Sequence, residues 1–202
     1  MSKKNAILLA ATELFSQKGY DGASMAELSR MTGAAGGTIF HHFKNKEDLF
    51  LNILGGIKET ILSAFDQYLK DANFRNGLEL VEGAVSFYLQ LASRMQAQFL
   101  LLHRHFPYKM AEANPVCRDY LESIYDCLLD IFEKGILRGQ KDGSVDGVPA
   151  RQSAMILFSM VDGIARFNTY QLYDAGALYS ALMAACRKMI GLKRPTDDDA
   201  VT

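Results

Sequence analysis

Apolar residues recur along this chain at three- and four-residue intervals almost without a break, the periodicity of helices that each bury one face. Near the start, Met25, Leu28 and Met31 share a face, and Ile39 and Phe43, four apart, share another. From 46 to 70 one stripe runs through Leu49, Phe50, Ile53, Leu54, Ile57, Ile61, Ala64, Phe65, Tyr68 and Leu69, which predicts a single long helix. A further helix is expected through Leu80, Val81, Val85, Tyr88 and Leu91, and a shorter one ending at Phe106, where Pro107 stops it. The next runs through Tyr120, Ile124, Leu128, Ile131 and Phe132 to about Gly139. Residues 141–149, with Gly143 and Gly147, form the one long loop, and 150–173 and 176–190 predict two closing helices. The pattern is all-α.

Polar punctuation sharpens these boundaries. Ser24 with Glu27 three residues on is a capping box, and Gly33 permits the positive-φ residue that ends that helix and turns the chain. A second short helix can start near Ala35 and end between His41 and Phe43. Asn45 caps the long helix, where Glu47 and Asp48 in the first turn favour its dipole and read as structural. Asn76 with Glu79 opens another helix, and Asn114-Pro115 places a cap and a first-turn proline ahead of the next. Two short helices joined by a tight turn, followed by a third helix start, are the layout of a DNA-binding helix-turn-helix over residues 24–47. The small residues Ala35, Gly36 and Gly37 at the second helix start let backbone come close to a groove or phosphate.

The string Gly33-Ala34-Ala35-Gly36-Gly37-Thr38-Ile39-Phe40-His41-His42-Phe43-Lys44-Asn45-Lys46-Glu47-Asp48-Leu49 resembles the DNA-binding domain of the tetracycline-repressor (TetR) family of transcriptional regulators. Ala11-Thr12-Glu13-Leu14-Phe15 and Gly19-Tyr20 upstream support the resemblance, which covers the first quarter of the chain; beyond it only the helix pattern matches. It implies an N-terminal three-helix helix-turn-helix DNA-binding domain over 1–46, and a C-terminal helical ligand-binding and dimerisation domain over 47–192. The remaining 193–202, with Asp197-Asp198-Asp199, is expected to be a disordered tail. The chain departs from the family pattern at two places. Ala35-Gly36 stands where Ser-Lys or Ser-Arg is usual, so the recognition helix lacks a good cap and a cation, and Phe40 stands where Tyr is usual. By similarity Ser24, Thr38, His41, His42 and Lys46 are candidates for phosphates, with Ala35, Gly36, Gly37 and Thr38 nearest the base edges, while Phe40, also in the DNA-binding set, lacks the hydroxyl that a Tyr would offer a phosphate. So few polar readers should lean on groove shape, on the arm Ser2-Lys3-Lys4, or on a paired subunit.

Charge adds less than usual for a DNA binder. Residues 1–48 carry Lys3, Lys4, Lys18, Arg30, Lys44 and Lys46 against Glu13, Asp21, Glu27, Glu47 and Asp48, and the whole chain has a formal net charge of −1. Binding must come from local placement, which argues against a nonspecific nucleic-acid coat. At 49% hydrophobic and 202 residues the chain can bury a real core. With no secretory leader pattern and no run of about 18 apolar residues, the expected location is the cytoplasm, with no membrane partner. Cys117, Cys127 and Cys186 are odd in number and lack Cys-x-x-Cys spacing, which favours reduced thiols.

The family resemblance also implies an input, a small-molecule effector, and the apolar and aromatic residues available to line its site suggest a hydrophobic or aromatic compound. Its lining is expected from Phe65, Tyr88, Met95, Phe99, His103, Tyr120, Tyr125, Phe158, Asp162 and Phe167, with Phe87 as a neighbour. His103 is favoured because Phe99 and Phe106 flank it at helical spacing, whereas His103 and His105, two apart, diverge by about 200° on one helix and cannot chelate one ion. Neither a metal, a cofactor nor a catalytic residue is expected, since no phosphate-cradling loop follows a strand and no nucleophile elbow or zinc spacing occurs. The last two helices are expected to pair with their copies in a homodimer, spacing two recognition helices about 34–36 Å apart on a palindromic double-stranded operator. On the first of them, Asp162 and Arg166 are placed to form an i,i+4 ion pair. Gly55-Gly56 costs about 2 kcal/mol of helix propensity, for which close packing is favoured over a hinge. The competing class is a helical small-molecule-binding or adaptor protein with a vestigial helix-turn-helix, supported by the sparse cations.

Overall fold

Helix follows helix in the computed structural model, which describes residues 2–191; the expected tail at 193–202 lies outside the described residues. The order is α1 (Lys3–Gly22), α2 (Met25–Thr32), α3 (Gly36–His42), α4 (Lys46–Asp71), α5 (Gly77–Arg94), α6 (Gln96–Leu102), α7 (His105–Ala113), α8 (Pro115–Asp142), α9 (Ala150–Thr169) and α10 (Ala175–Met189). Among the described residues every regular element is a helix. The expected caps form. Asn45 Oδ1 accepts from Asp48 N at 2.8 Å while the Asp48 carboxylate takes Lys44 N at 2.8 Å, and Asn114 Oδ1 accepts from Val116 N and Cys117 N at 3.0 and 3.1 Å.

Pro107 requires a correction. It does not end a helix but lies buried in the first turn of α7, an element absent from the sequence reading. The first amides of a helix have no intrahelical acceptor, so a proline there gives up no bond, and the local signal is the same for a stop as for a start. The expected continuous turn from Phe99 through His103 to Phe106 is therefore broken. His103 closes α6, and the next helix begins at His105.

The described residues group into two compact units, one drawn from 2–67 and 95–125, the other from 68–94 and 126–191. In the first, α1 packs on α2, α3 and α6. Phe15, Tyr20, Phe50 and Phe106 form its aromatic centre, with Tyr20 stacked on Phe106 at 3.7 Å and Phe50 edge-on to Phe15, Tyr20 and Phe106 at 5.7, 5.4 and 5.1 Å. Gly55 earns its place by packing, since a Cβ there would stand 3.3 Å from the Tyr120 ring, while one at Gly56 would meet nothing within 4 Å. Met31, expected inward, is 48% exposed; the eight-residue α2 buries only Leu28 fully.

In the second unit α9 packs on α5 and α10. The start of α5 and the end of α8 approach so closely that a Cβ on Gly77 would fall 2.0 Å from Gly139 N and 2.4 Å from Gly135 O. Asp142, the last residue of α8, and Ser144 just after it cap α5 by accepting from Gly77 N at 2.8 Å and Leu78 N at 3.2 Å. The Ser144 hydroxyl, ahead of the Gly77 amide, holds the Asp142 carboxyl below its ordinary pKa. Arg151 of α9 spans Asp130, Glu133 and Asp126 of α8 at 2.8, 3.1 and 3.4 Å.

Candidate functional site

The α2–α3 corner is built from short-range bonds. Ser24 Oγ accepts from Glu27 N at 3.1 Å, but the Glu27 carboxylate takes the Lys18 ammonium at 2.6 Å, so α1 shares in the capping box. Gly33 turns the chain at φ 63°, ψ 7°, a left-handed conformation that penalises any residue with a Cβ. Ser29 Oγ donates to Ala34 O at 2.6 Å, Thr32 Oγ1 donates to Leu28 O at 2.8 Å, and the same Oγ1 accepts from Ala34 N at 3.3 Å. Two side chains then anchor α3, Ile39 and Phe43, at 0% and 1% exposure. Everything else on α3 faces outward or to the flank. Gly36, Gly37, Phe40 and His41 are exposed, as is Ala35 before them, while Thr38 and His42 are half-buried.

The structure thus gathers Ala35, Gly36, Gly37, Thr38, Phe40, His41 and His42 on one short element, with Ser24 exposed at the start of α2 and Lys46 at the start of α4. The side-chain cap is absent at Ala35, as the sequence implied. A Cβ at Gly36 or Gly37 would meet nothing within 4 Å, so no packing within the described residues calls for glycine at either position. Lys46 is committed in part to the fold: its ammonium lies 4.4 Å over the Tyr20 ring, and burial lowers its pKa against the opposing pull of Asp21. The arm Ser2-Lys3-Lys4 needs correction. Ser2 Oγ accepts from Asn5 N at 3.2 Å, so the serine caps α1 and both lysines belong to its first turn. Lys3 instead lines a small cleft with Thr32, Ala35 and Thr38, which brings a cation beside the start of α3.

The candidate effector residues divide between the units. In the first, Phe65, Met95, Phe99 and His103 are buried, with the Phe99 and His103 rings 6.0 Å apart, and the half-buried Tyr125 meets Tyr108 hydroxyl to hydroxyl. Phe106 does not flank His103 as expected, because the break between α6 and α7 turns it onto Tyr20 and Phe50. Tyr120 opens onto a surface cleft of about 430 Å³ under the Lys58 ammonium, and Met95 onto another of about 180 Å³ beside Leu8 and Ile57. In the second unit, Tyr88, Phe158 and Asp162 come together, with Tyr88 Oη donating to Asp162 Oδ1 at 2.6 Å and the rings of Tyr88 and Phe158 6.0 Å apart. Asp162, expected to pair with Arg166, thus takes the Tyr88 hydroxyl from another helix, and Arg166 is exposed. Phe167 is 37% exposed against Tyr173. Burial pushes the Cys117 and Cys186 thiols up to about 11, so both are protonated and weakly nucleophilic near neutrality.

A sequence model described as "Bacterial regulatory proteins, tetR family" matches residues 7–53, the span that contains this helix-turn-helix. The chain belongs to the TetR family of transcriptional regulators. Among its TetR relatives is the HTH-type transcriptional repressor BepR of Brucella suis biovar 1, 28% identical over 169 residues that span 79% of this chain and 77% of that one. In fold the chain is similar to a tetR-family regulatory protein of Rhodococcus RHA1, with TM-score 0.78, 19% identity and coverage of 96% and 100%. It is also similar to FadR of Bacillus subtilis solved with stearoyl-CoA, with TM-score 0.72, 20% identity and coverage of 93% and 99%. The protein is a DNA-binding transcriptional regulator, and the adaptor reading is not favoured. No helix among the described residues is long and apolar enough to cross a membrane.

One residue of this TetR-family chain escaped the sequence reading altogether. Arg104, between α6 and α7, donates through Nε and Nη2 to Ser16 O at 2.8 and 2.5 Å and through Nη2 to Gln17 O at 2.8 Å. These carbonyls precede Gly19, whose φ of 73° interrupts α1, so the arginine supplies donors where the helix's own ladder stops. Partners 88 residues apart leave no local signal.

Proposed function

We propose that the protein is a homodimeric, non-enzymatic repressor of the cytoplasm that binds a palindromic operator through α3 and leaves it when a hydrophobic or aromatic small molecule binds within residues 47–192. The observation that carries this reading is the intact corner from Ser24 to Phe43, where Ile39 and Phe43 are buried while Ala35, Gly36, Gly37, Phe40 and His41 face solvent. Glycines that no internal packing demands, on a helix they weaken, fit a surface that another molecule must approach closely. Homodimerisation through α9 and α10 is supported by the apolar side chains these helices leave outside. Met155, Ile156 and Tyr170 are 52%, 53% and 38% exposed on or next to α9, and Tyr179 is 39% exposed on α10. The aromatic sets around Phe99 and around Tyr88 are the material for an effector site, and the acyl ligand of the FadR neighbour is of matching character. We propose 1–46 as the DNA-binding domain and 47–192 as the ligand-binding and dimerisation domain.

Two variants separate base reading from phosphate anchoring. Thr38→Ala should reduce the preference for operator over random DNA, while Lys46→Ala should weaken binding to all DNA alike and flatten the log–log salt slope by about one. Fluorescence anisotropy on both duplexes over a salt series measures this, with circular dichroism to confirm folding because Lys46 also rests on Tyr20. Equal effects of the two variants on both duplexes would contradict the assignment. For the effector, a compound that raises the melting temperature should also lower operator affinity by about 1–3 kcal/mol. A stabilising compound with no effect on DNA binding would be no inducer.

A further inference from the structure

Position 40 stands out on α3. The recognition helix buries two apolar side chains, yet it carries a third, Phe40, that is 52% exposed. A phenyl ring has no hydrogen-bond donor or acceptor, so it cannot hold a phosphate or read the polar edge of a base. Leaving about half its surface in water gains nothing for the monomer's stability, and the anchoring of α3 is already met by Ile39 and Phe43 at 0% and 1% exposure. One and two residues short of a full turn do not matter here; three and four do. Gly37 and Gly36 lie at i−3 and i−4 from Phe40, on the side toward which helical side chains lean, and a Cβ at either would meet nothing within 4 Å. The ring therefore has open space on its N-terminal side, in the half of the helix that meets base edges in helix-turn-helix complexes.

The remaining outward groups of that half match it in chemistry. Ala35 offers a methyl, Thr38 a methyl and one hydroxyl, and α3 from Gly36 to His42 contains no Lys, Arg, Asn or Gln. Polar readout of the major groove by side chains of that half is thereby left to the Thr38 hydroxyl, the imidazoles of His41 and His42 lying in the last turn of the helix. The apolar feature that the groove does present is the C5-methyl of thymine, which pairs with Phe, Ala and the Thr methyl. We propose that Phe40 determines operator specificity by packing on the 5-methyl group of a thymine in each half-site, so that this protein reads methyls where a polar recognition helix reads donors and acceptors. The inference rests on the DNA-binding reading and adds the chemical class of the base contacted.

The test uses the full-length protein and a duplex selected by it from its upstream DNA. Each thymine of the half-sites is replaced in turn by deoxyuridine, which removes one methyl and leaves base pairing unchanged. Burial of one methyl corresponds to about a fourfold loss at the contacted thymine, and about fifteenfold when both half-sites are changed together. Phe40→Ala should bind the thymine duplex more weakly and show no further loss on the deoxyuridine duplex, because the two changes remove the same contact. Phe40→Tyr, which keeps the ring, should retain the sensitivity to deoxyuridine. Uniform binding of wild type to all deoxyuridine duplexes would overturn the proposal while leaving operator binding intact. Undiminished sensitivity in Phe40→Ala would also overturn it by assigning the methyl to another residue. If no duplex is preferred over random DNA, the operator reading fails, and the proposal with it.

Discussion

Phe50→Ala should destabilise the first unit by about 3–5 kcal/mol and abolish DNA binding at physiological temperature. Phe50 is 2% exposed and edge-on to three other rings, Phe15, Tyr20 and Phe106, which come from α1 and α7. Its deletion removes the transfer term of the ring, leaves a cavity its neighbours cannot fill, and breaks three aromatic pairs at once. Against a typical domain stability of about 5–15 kcal/mol, that loss is a large fraction of the whole. The functional consequence follows from connectivity. Leu49 and Phe50 start the inward face of α4, and Tyr20, which stacks on Phe106, also lies under the Lys46 ammonium. Urea unfolding measures the change, and Phe50→Leu, which keeps more volume, should cost roughly half as much or less. A Phe50→Ala protein within about 1 kcal/mol of wild type would mean that the cluster is not packed as described.

Gly77→Ala should lower stability by about 2–3 kcal/mol, which for a chain of this length is a fall in Tm of about 5–10 °C. Two effects of opposite sign compete at this position. Alanine is the better helix former by about 0.5–1 kcal/mol, so propensity alone would favour the substitution. Its Cβ, however, would stand 2.0 Å from Gly139 N and 2.4 Å from Gly135 O, and these are backbone atoms that no rotamer change can move aside. Steric overlap of that depth exceeds the propensity gain, so the start of α5 and the end of α8 must part, and with them the bonds from Gly77 N to Asp142 and from Leu78 N to Ser144. Gly56→Ala supplies the contrast within the same protein. It is mid-helix with nothing within 4 Å of the new Cβ, so it should be stabilising by about 0.5–1 kcal/mol. Differential scanning calorimetry of the two variants decides the matter by sign: a stable Gly77→Ala would remove the close approach from the account.

Local information was legible in the sequence and long-range information was not. Ser24, Asn45, Asn76 and Asn114 each bond within three residues of themselves, so a cap could be read from spacing alone. The helix-turn-helix is similarly self-contained, so the places of Gly33, Ile39 and Phe43 follow from local spacing alone. Pro107 was ambiguous by its chemistry, since a residue without an amide proton suits both an end and a beginning. What escaped the reading depends on partners far along the chain. Arg104 meets Ser16 across 88 residues, Asp162 takes the Tyr88 hydroxyl across 74, and Phe106 turns to Tyr20. The candidate residues of α3 were legible as a list but not as a surface. The spacing of Ile39 and Phe43 already set Phe40 on another face, but its 52% exposure comes from the fold, and only the helical start at Lys3 removes the arm.

The central claim is sequence-specific DNA binding by a TetR-family regulator whose recognition helix is poor in cations. Fluorescence anisotropy of labelled DNA from upstream of the protein's own gene, titrated beside a random duplex of equal length at several salt concentrations, tests it most directly. The expected result is a symmetric site with half-sites about one helical turn apart, bound about 10³-fold or more tighter than random DNA, with a preference that survives as salt weakens both. Equal affinity for the two duplexes, falling together to nothing as salt rises, would contradict it.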